Sequence, residues 1–307
     1  MPFFNANMYF FDLCLKSILK QSLKEIEIII IDDGSKDYVF DELQKYTKKD
    51  SRIRLLRQKH MGSGAARNKG ILHSFGEYVV FMDSDDYYPD TQTLEHLYDI
   101  VTKSEVKVAG GRVLIEKDEI LEAPAWKFKN YLELFKNKVA TFRDYQISWG
   151  YWCFIYKKDF LINNKLFFPN YLRYQDPPWF VKTLDKAKIF YATEKITYIH
   201  REKNSVTTWN NKQIQDYFSG IADLLEYTAK EDLEDLHTFI YRKFLTYDIN
   251  ILKRLSFYFW ITKKTLVNKI LKVVSKDTVS QTNQEIPVFK DYSDYRRNIK
   301  KYDIIDC

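Results

Sequence analysis

Cysteine is scarce. Cys14, Cys153 and Cys307 are odd in number, widely separated and without CxxC spacing. That argues against a disulfide framework or a cysteine zinc cluster, and it fits a reducing cytoplasm. The opening residues lack a basic stretch followed by an apolar one, so no signal peptide is expected. No uninterrupted apolar run approaches the about 18 residues of a spanning helix. The nearest, LSFYFWI at 255–261, is far too short. Internal repeats and low-complexity tracts are missing as well. Charge of one sign is not in large excess: a net +6 over 307 residues does not imply a polyanionic partner, and no nucleic acid is expected. Aromatics are plentiful, at 17% with 23 Tyr and 22 Phe, and are read as composition rather than as a base-stacking platform.

What is present is a globular chain. Hydrophobic content of 45% and charged content of 29% are those of a globular protein, and 307 residues suit one large domain, or one domain plus a substantial extension, and can bury a core. The first half alternates. Helical spacing over 8–20 precedes the apolar run EIEIIIIDDGS, then a helix at 37–49, a short strand at 53–58 and a helix through GAARNKGILHSF. A second buried strand, YVVFMD, follows at 78–83, then a helix at 92–103 and a strand at 106–115. Further on, WGYWCFIY (149–156) reads as a strand and KDFLINNK as a short helix. A helix at 180–187 and a strand pair around IFYATEKITYIHR come next. This order predicts an α/β fold with a mostly parallel sheet, whose ligands bind beyond the strand carboxyl ends. The predicted division is 1–205 for the α/β domain and 206–307 for a helical C-terminal extension, with a polar linker near 275–285.

Both acidic clusters lie at predicted strand ends. In IIIIDDGS, Asp32 and Asp33 sit where the chain turns and Gly34 permits the turn. A carboxylate there could accept from a nucleobase N–H or a ribose hydroxyl; a plain strand-exit turn explains it equally well. GSGAARNKG (62–70) brings Arg67 and Asn68 to a glycine-rich helix start that suits an anion, although its spacing is neither a P-loop nor GxGxxG. In VVFMDSDDYYPD, Asp83 and Asp85 are separated by one residue and point the same way in an extended segment. They could share a hard cation, Mg²⁺ or Mn²⁺, which would relieve their repulsion. The other reading is a solvated turn opening a helix.

IIIIDDGSKD, GSGAARNKGI and GEYVVFMDSDDYYPD, in this order, resemble the family 2 glycosyltransferases of GT-A fold, over roughly residues 2–205. The resemblance implies an inverting, metal-dependent hexosyl transfer from a nucleotide sugar, UDP by preference. The acceptor would be a hydroxyl of a glycan or lipid-linked glycan, as in polysaccharide or capsule synthesis. It implies that Asp32 and Asp33 lie near uracil, that Arg67 and Asn68 lie near the nucleotide, and that Asp83 and Asp85 form a DxD motif. Asp85 would bind Mn²⁺ or Mg²⁺ and Asp83 would contact ribose or metal, with Asp86 structural. Asp176 stands where the family places its catalytic base, preceded by Gln175 instead of the usual Glu. Pro177 and Pro178 are expected to hold that segment extended. His200, Arg201 and Ser205 occupy the place of a diphosphate-binding run, a surface pair being the other reading, and Trp149, Tyr151, Trp152 and Trp179 could stack on a sugar or belong to the core.

The chain departs from the family pattern at its start. MPFFN matches the end of an expected first strand, most of which is not there, so that strand is read as truncated. Residues 242–276 carry nine Lys or Arg (242, 243, 253, 254, 263, 264, 269, 272, 276) against Asp248, interrupted by aromatics. They suit an anionic membrane surface or, as readily, an ordinary helix pair with lysines in water. The implied location is cytoplasmic, with a peripheral position at the inner face of the plasma membrane. Two alternatives stand beside the transferase. One is a sugar-nucleotide-binding complex subunit without turnover, lacking an intact first strand. The other is a nucleotidyltransferase, which would need a basic triphosphate loop that is not seen.

Overall fold

The computed structural model describes residues 1–124, 131–202, 209–254, 260–274 and 286–298. Contacts group the chain into two units: Met1–Tyr145, Trp149–Asn170 and Trp179–Val206 form the first, and Gln146–Ser148, Tyr171–Pro178 and Thr207–Cys307 the second.

In the first unit, β1 (Pro2–Phe3), α1 (Met8–Leu19), β2 (Ile28–Asp32), α2 (Asp37–Thr47), β3 (Ile53–Arg57) and α3 (Ser63–His73) follow the predicted alternation. The strands form a parallel sheet in the order β1-β2-β3. β2 is buried along its whole length, which is why it reads as an unbroken isoleucine run rather than an alternating one. Ile29 and Ile31 pack with Ala66 of α3. Next come β4 (Tyr78–Val80), α4 (Thr93–Lys103), β5 (Val108–Lys117) and β6 (Ile120–Glu122). The short α5 (Tyr131–Leu134), β7 (Lys138–Thr141) and α6 (Phe142–Tyr145) lead into β8 (Phe154–Lys157) and α7 (Lys158–Asn163). The last elements are α8 (Asp176–Ala187), whose first residues belong to the second unit, and β9 (Ile189–Arg201).

The second sheet runs β4-β8-β5-β9-β7, with β5 and β9 parallel and β8 and β7 antiparallel to their neighbours. The strand pair predicted at 189–201 is one strand of 13 residues. No turn residue interrupts it, and register shifts opposite Gly110 and Arg112 absorb its length. The predicted strand at 149–156 begins instead with a 3-10 turn, Tyr151–Cys153. Its aromatics join a core in which Trp179 stacks on Phe168 at 4.2 Å and Phe81 meets Trp179 edge-on at 5.3 Å.

β1 is only two residues long, and among the described residues no hydrogen bond joins the two sheets' edge strands β1 and β4. An apolar cavity of about 360 Å³ lies there, lined by Ile28 and Ile29 of β2 and Tyr78, Val79 and Val80 of β4. Met1 stands at it, its amine donating to the Ile29 carbonyl at 3.0 Å.

The second unit is helical: α9 (Asn211–Lys230), α10 (Glu234–Thr246), a 3-10 turn at Asp248–Arg254, α11 (Trp260–Leu271) and α12 (Tyr292–Asn298). Asn210 begins α9 with a reciprocal capping box to Gln213, which fixes where the helix starts. The linker predicted at 275–285 lies outside the described residues, as does Ser205. No helix among the described residues is long and apolar enough to cross a membrane.

Candidate active site

The carboxyl end of β2 delivers Asp32 and Asp33 into a turn made by Gly34 at φ +82°. A side chain at position 34 would meet the His60 amide at 2.8 Å, so this residue must be glycine for two reasons. Asp32 is fully buried; its Oδ1 accepts from the Ser35 amide at 3.1 Å, and Arg57 Nε is 3.1 Å from Oδ2. Asp33 is the clamp of the loop before α3. It accepts from the Met61 and Gly62 amides at 2.9 and 2.8 Å and from Gln58 Nε2 at 2.7 Å, and His60 Nδ1 lies 2.9 Å from its Oδ2. Phe4 stacks on His60 with centroids 4.0 Å apart and is 45% exposed. Gln58 and His60 escaped the sequence reading, which took Phe4 only as part of the first strand. Their only signal was position beside the motifs.

Arg67 is buried at the first turns of α3, with Nη2 2.6 Å from Asp83 Oδ1 and its guanidinium over Tyr151 and Phe168. Burial alone would raise the Asp83 pKa. The guanidinium beside it wins and holds the carboxyl below its ordinary value. Asn68 lies near in sequence but its amide is engaged in both directions by the Phe168 backbone, at 2.9 and 2.8 Å. It therefore acts as a brace between α3 and the loop at 168.

Past β4 the three carboxylates separate. Asp85 is partly exposed, and its backbone carbonyl accepts from Arg201. Asp86 is fully buried: it accepts from Tyr198 Oη at 2.7 Å and the Arg201 amide at 2.8 Å, and His200 Nδ1 lies 3.1 Å away. Burial raises the Asp86 pKa despite the opposing His200 contact. For His200, burial lowers the pKa, but Asp86 outweighs it and the net shift is upward. Arg201 is held by Glu116 at 2.6 Å and sits over Phe10 and Tyr87. The sequence predicted Asp86 as structural; the finding adds that it anchors the His200–Arg201 pair. Glu116 was not anticipated, because only the parallel β5–β9 register brings it to Arg201.

The aromatic candidates divide. Tyr151, Trp152 and Trp179 are 2%, 6% and 1% exposed, which makes them core residues. They have no open face for a sugar. Of the two roles open to them, sugar stacking or core packing, these three take the core. Trp152 stacks between Tyr198 and His200 instead, at 4.4 and 5.3 Å. Trp149 remains partly exposed, edge-on to Trp152.

In the second unit, Asp176 opens α8 with Pro177 and Pro178 in the first turn. The expectation of an extended segment there is corrected. Proline's missing N–H has no helical partner to lose at a helix start, so the pair begins the helix rather than preventing it. Arg173 lies over Trp209 at 5.3 Å; burial lowers its pKa, and the Asp176 charge acts against that.

Two sheets with carboxylates at the ends of β2 and β4, and the solved structures the chain superposes on, place it in the GT-A fold class of glycosyltransferases. Over 90% of its length the chain superposes on S. aureus TarS 1-349 crystallised with UDP-GlcNAc, at TM-score 0.73 and 17% identity, covering 81% of that chain. Residues 1–163 match the model of glycosyl transferase family 2, and the chain belongs to that family. It is 27% identical over 308 residues to the uncharacterized glycosyltransferase EpsJ of Bacillus subtilis (strain 168), covering 94% of this chain and 86% of that one. It is 30% identical over 271 residues to the cholesterol galactosyltransferase of Borreliella burgdorferi, covering 83% and 71%.

Proposed function

We propose that this glycosyltransferase is metal-dependent and inverting, moving a hexose from UDP to a hydroxyl of a glycan or lipid-linked acceptor. The observation that carries the reading is the Arg67–Asp83 pair, which keeps Asp83 ionised beside a partly exposed Asp85. TarS has been crystallised with UDP, and a Pyrobaculum calidifontis mannosyltransferase of TM-score 0.55 and 12% identity with GDP-Man and Mn²⁺.

Two carboxylates on one short segment fit a hard cation that takes its other ligands from substrate phosphates and water. Among the described residues no group of three or more His, Cys, Asp or Glu forms a complete protein cage. Asp85 would hold Mn²⁺ or Mg²⁺ with help from Asp83, and the ion would neutralise charge on the departing diphosphate. Arg201 and His200 supply further positive charge to that group. The exposed Phe4–His60 ring pair, beside Asp33, offers a flat face to uracil. Asp176 removes the acceptor proton as the oxygen attacks the anomeric carbon. The bond to UDP breaks on the opposite side, and configuration inverts.

Titration calorimetry of UDP with Mn²⁺ and with chelator tests the metal. Asp85→Ala is expected to abolish the metal-dependent part of binding. Asp176→Asn should lower turnover on the order of 10²-fold or more while leaving UDP affinity within about twofold. Full turnover in that variant would remove Asp176 from the mechanism.

A further inference from the structure

Residues 171–176 are gripped by one face of α9. Tyr171 Oη donates to Asp223 Oδ2, and the Leu172 amide donates to Asp216 Oδ2 at 3.0 Å. Tyr174 meets the Tyr217 ring at 4.9 Å, and Gly220 lies under the Tyr174 backbone so closely that a Cβ would come within 2.7 Å of its carbonyl oxygen. Asp216, Gly220 and Asp223 are spaced i, i+4, i+7, an arc of about 60° on a helix turning about 100° per residue. Asp216 is 3% exposed and is itself paired with Lys212 one turn earlier; Lys269 of α11 reaches Asp223 at 3.2 Å. The held segment is not relaxed. Tyr174 has φ +62°, a left-handed conformation that a non-glycine residue keeps only when its surroundings impose it.

A strained stretch pinned by two carboxylates and a glycine, two residues before Asp176, is more than a tether for a loop. We propose that α9 is the positioning element of the reaction, with Asp216, Gly220 and Asp223 fixing the backbone that aims Asp176. The helical extension then serves to hold the base. This rests on Asp176 being the base, but the grip itself is a separate claim with its own readout.

The experiment uses the full chain with Asp216→Leu, Asp216→Asn and Gly220→Ala. Asp216→Leu removes the acceptor for the Leu172 amide, and Asp216→Asn keeps an oxygen there. Hydrogen exchange at 172–176 should accelerate at least about tenfold in the Leu and Ala variants, approaching the local opening expected of an unpinned loop, and should recover in Asn. Release of UDP from a panel of UDP-glucose, UDP-galactose and UDP-GlcNAc should show kcat reduced by about tenfold with Mn²⁺–UDP affinity within twofold, the split expected for lost positioning. Unchanged exchange overturns the grip. Raised exchange with unchanged kcat per folded molecule overturns the positioning role. If Asp176→Asn keeps full turnover, the base assignment fails instead, and the exchange result still judges the grip.

Discussion

Asp83 and Asp86 are three residues apart, and their pKa values move in opposite directions because their neighbours differ. A buried guanidinium faces Asp83, whereas Asp86 meets a phenol, an amide and an imidazole. The same logic gives a prediction at His237 of α10. Its ring is fully buried, Nδ1 lies 3.1 Å from the Leu225 carbonyl and 2.9 Å from Thr228 Oγ1, and Nε2 meets no hydrogen-bond partner among the described residues. Adding a proton would bury an unpartnered N–H, so burial pushes the pKa from 6.5 down to about 4. The unfolded chain therefore binds the proton between these values while the folded one does not. Stability is complete above pH 6.5 and is lost as pH falls toward 4, by about 3 kcal/mol at most. Melting curves from pH 7 to 4.5 should fall more steeply for the native chain than for His237→Gln. Parallel curves would show that His237 is protonated without penalty.

At the level of elements, the alternation of strands and helices and the three motif positions were legible, because periodicity and turn residues are local signals. The destination of each carboxylate was not. Asp33 and Asp86 are consumed by loops and strands 25 to 115 residues away, contacts that only the assembled sheets create. The α9 grip was hidden for the same reason, since Leu172 and Asp216 are 44 residues apart. The residues of β1 lie beside the apolar cavity. Pro2 pairs with Ile31, so a strand continuing upstream would run past Ile29 and Ile28 along the cavity wall. A chain carrying about four β-branched residues before Met1, roughly 13 Å of strand, would fill apolar space there. A rise in Tm on the order of 5 °C is expected, and the same extension with alternate prolines should not give it. Equal melting points for the two extensions would mean that the cavity does not accept a strand.

Across the whole molecule the positive balance is unevenly used. Of the basic run at 242–276, Lys243 pairs with buried Asp248 at 2.6 Å and Lys269 with Asp223 at 3.2 Å. The described apolar side chains of α11, namely Leu266, Val267, Ile270 and Leu271, are all buried within the protein. An amphipathic anchor needs an apolar face for the bilayer as well as cations for its headgroups. Among the described residues of α11 the apolar half is engaged in the fold and what they leave for a membrane is charge; the aromatic stretch at 255–259 lies outside the described residues. Positive charge alone binds anionic lipid through an interaction that salt screens, with a Debye length of about 10 Å at 0.1 M and about 3 Å at 1 M. Sedimentation with vesicles should therefore require anionic lipid, vanish with purely zwitterionic vesicles and disappear when salt is raised to about 1 M. Lys272→Glu, at an exposed position of the run, should weaken it. Binding that survives high salt would instead demonstrate apolar insertion, and with it a surface on this protein other than the buried face of α11.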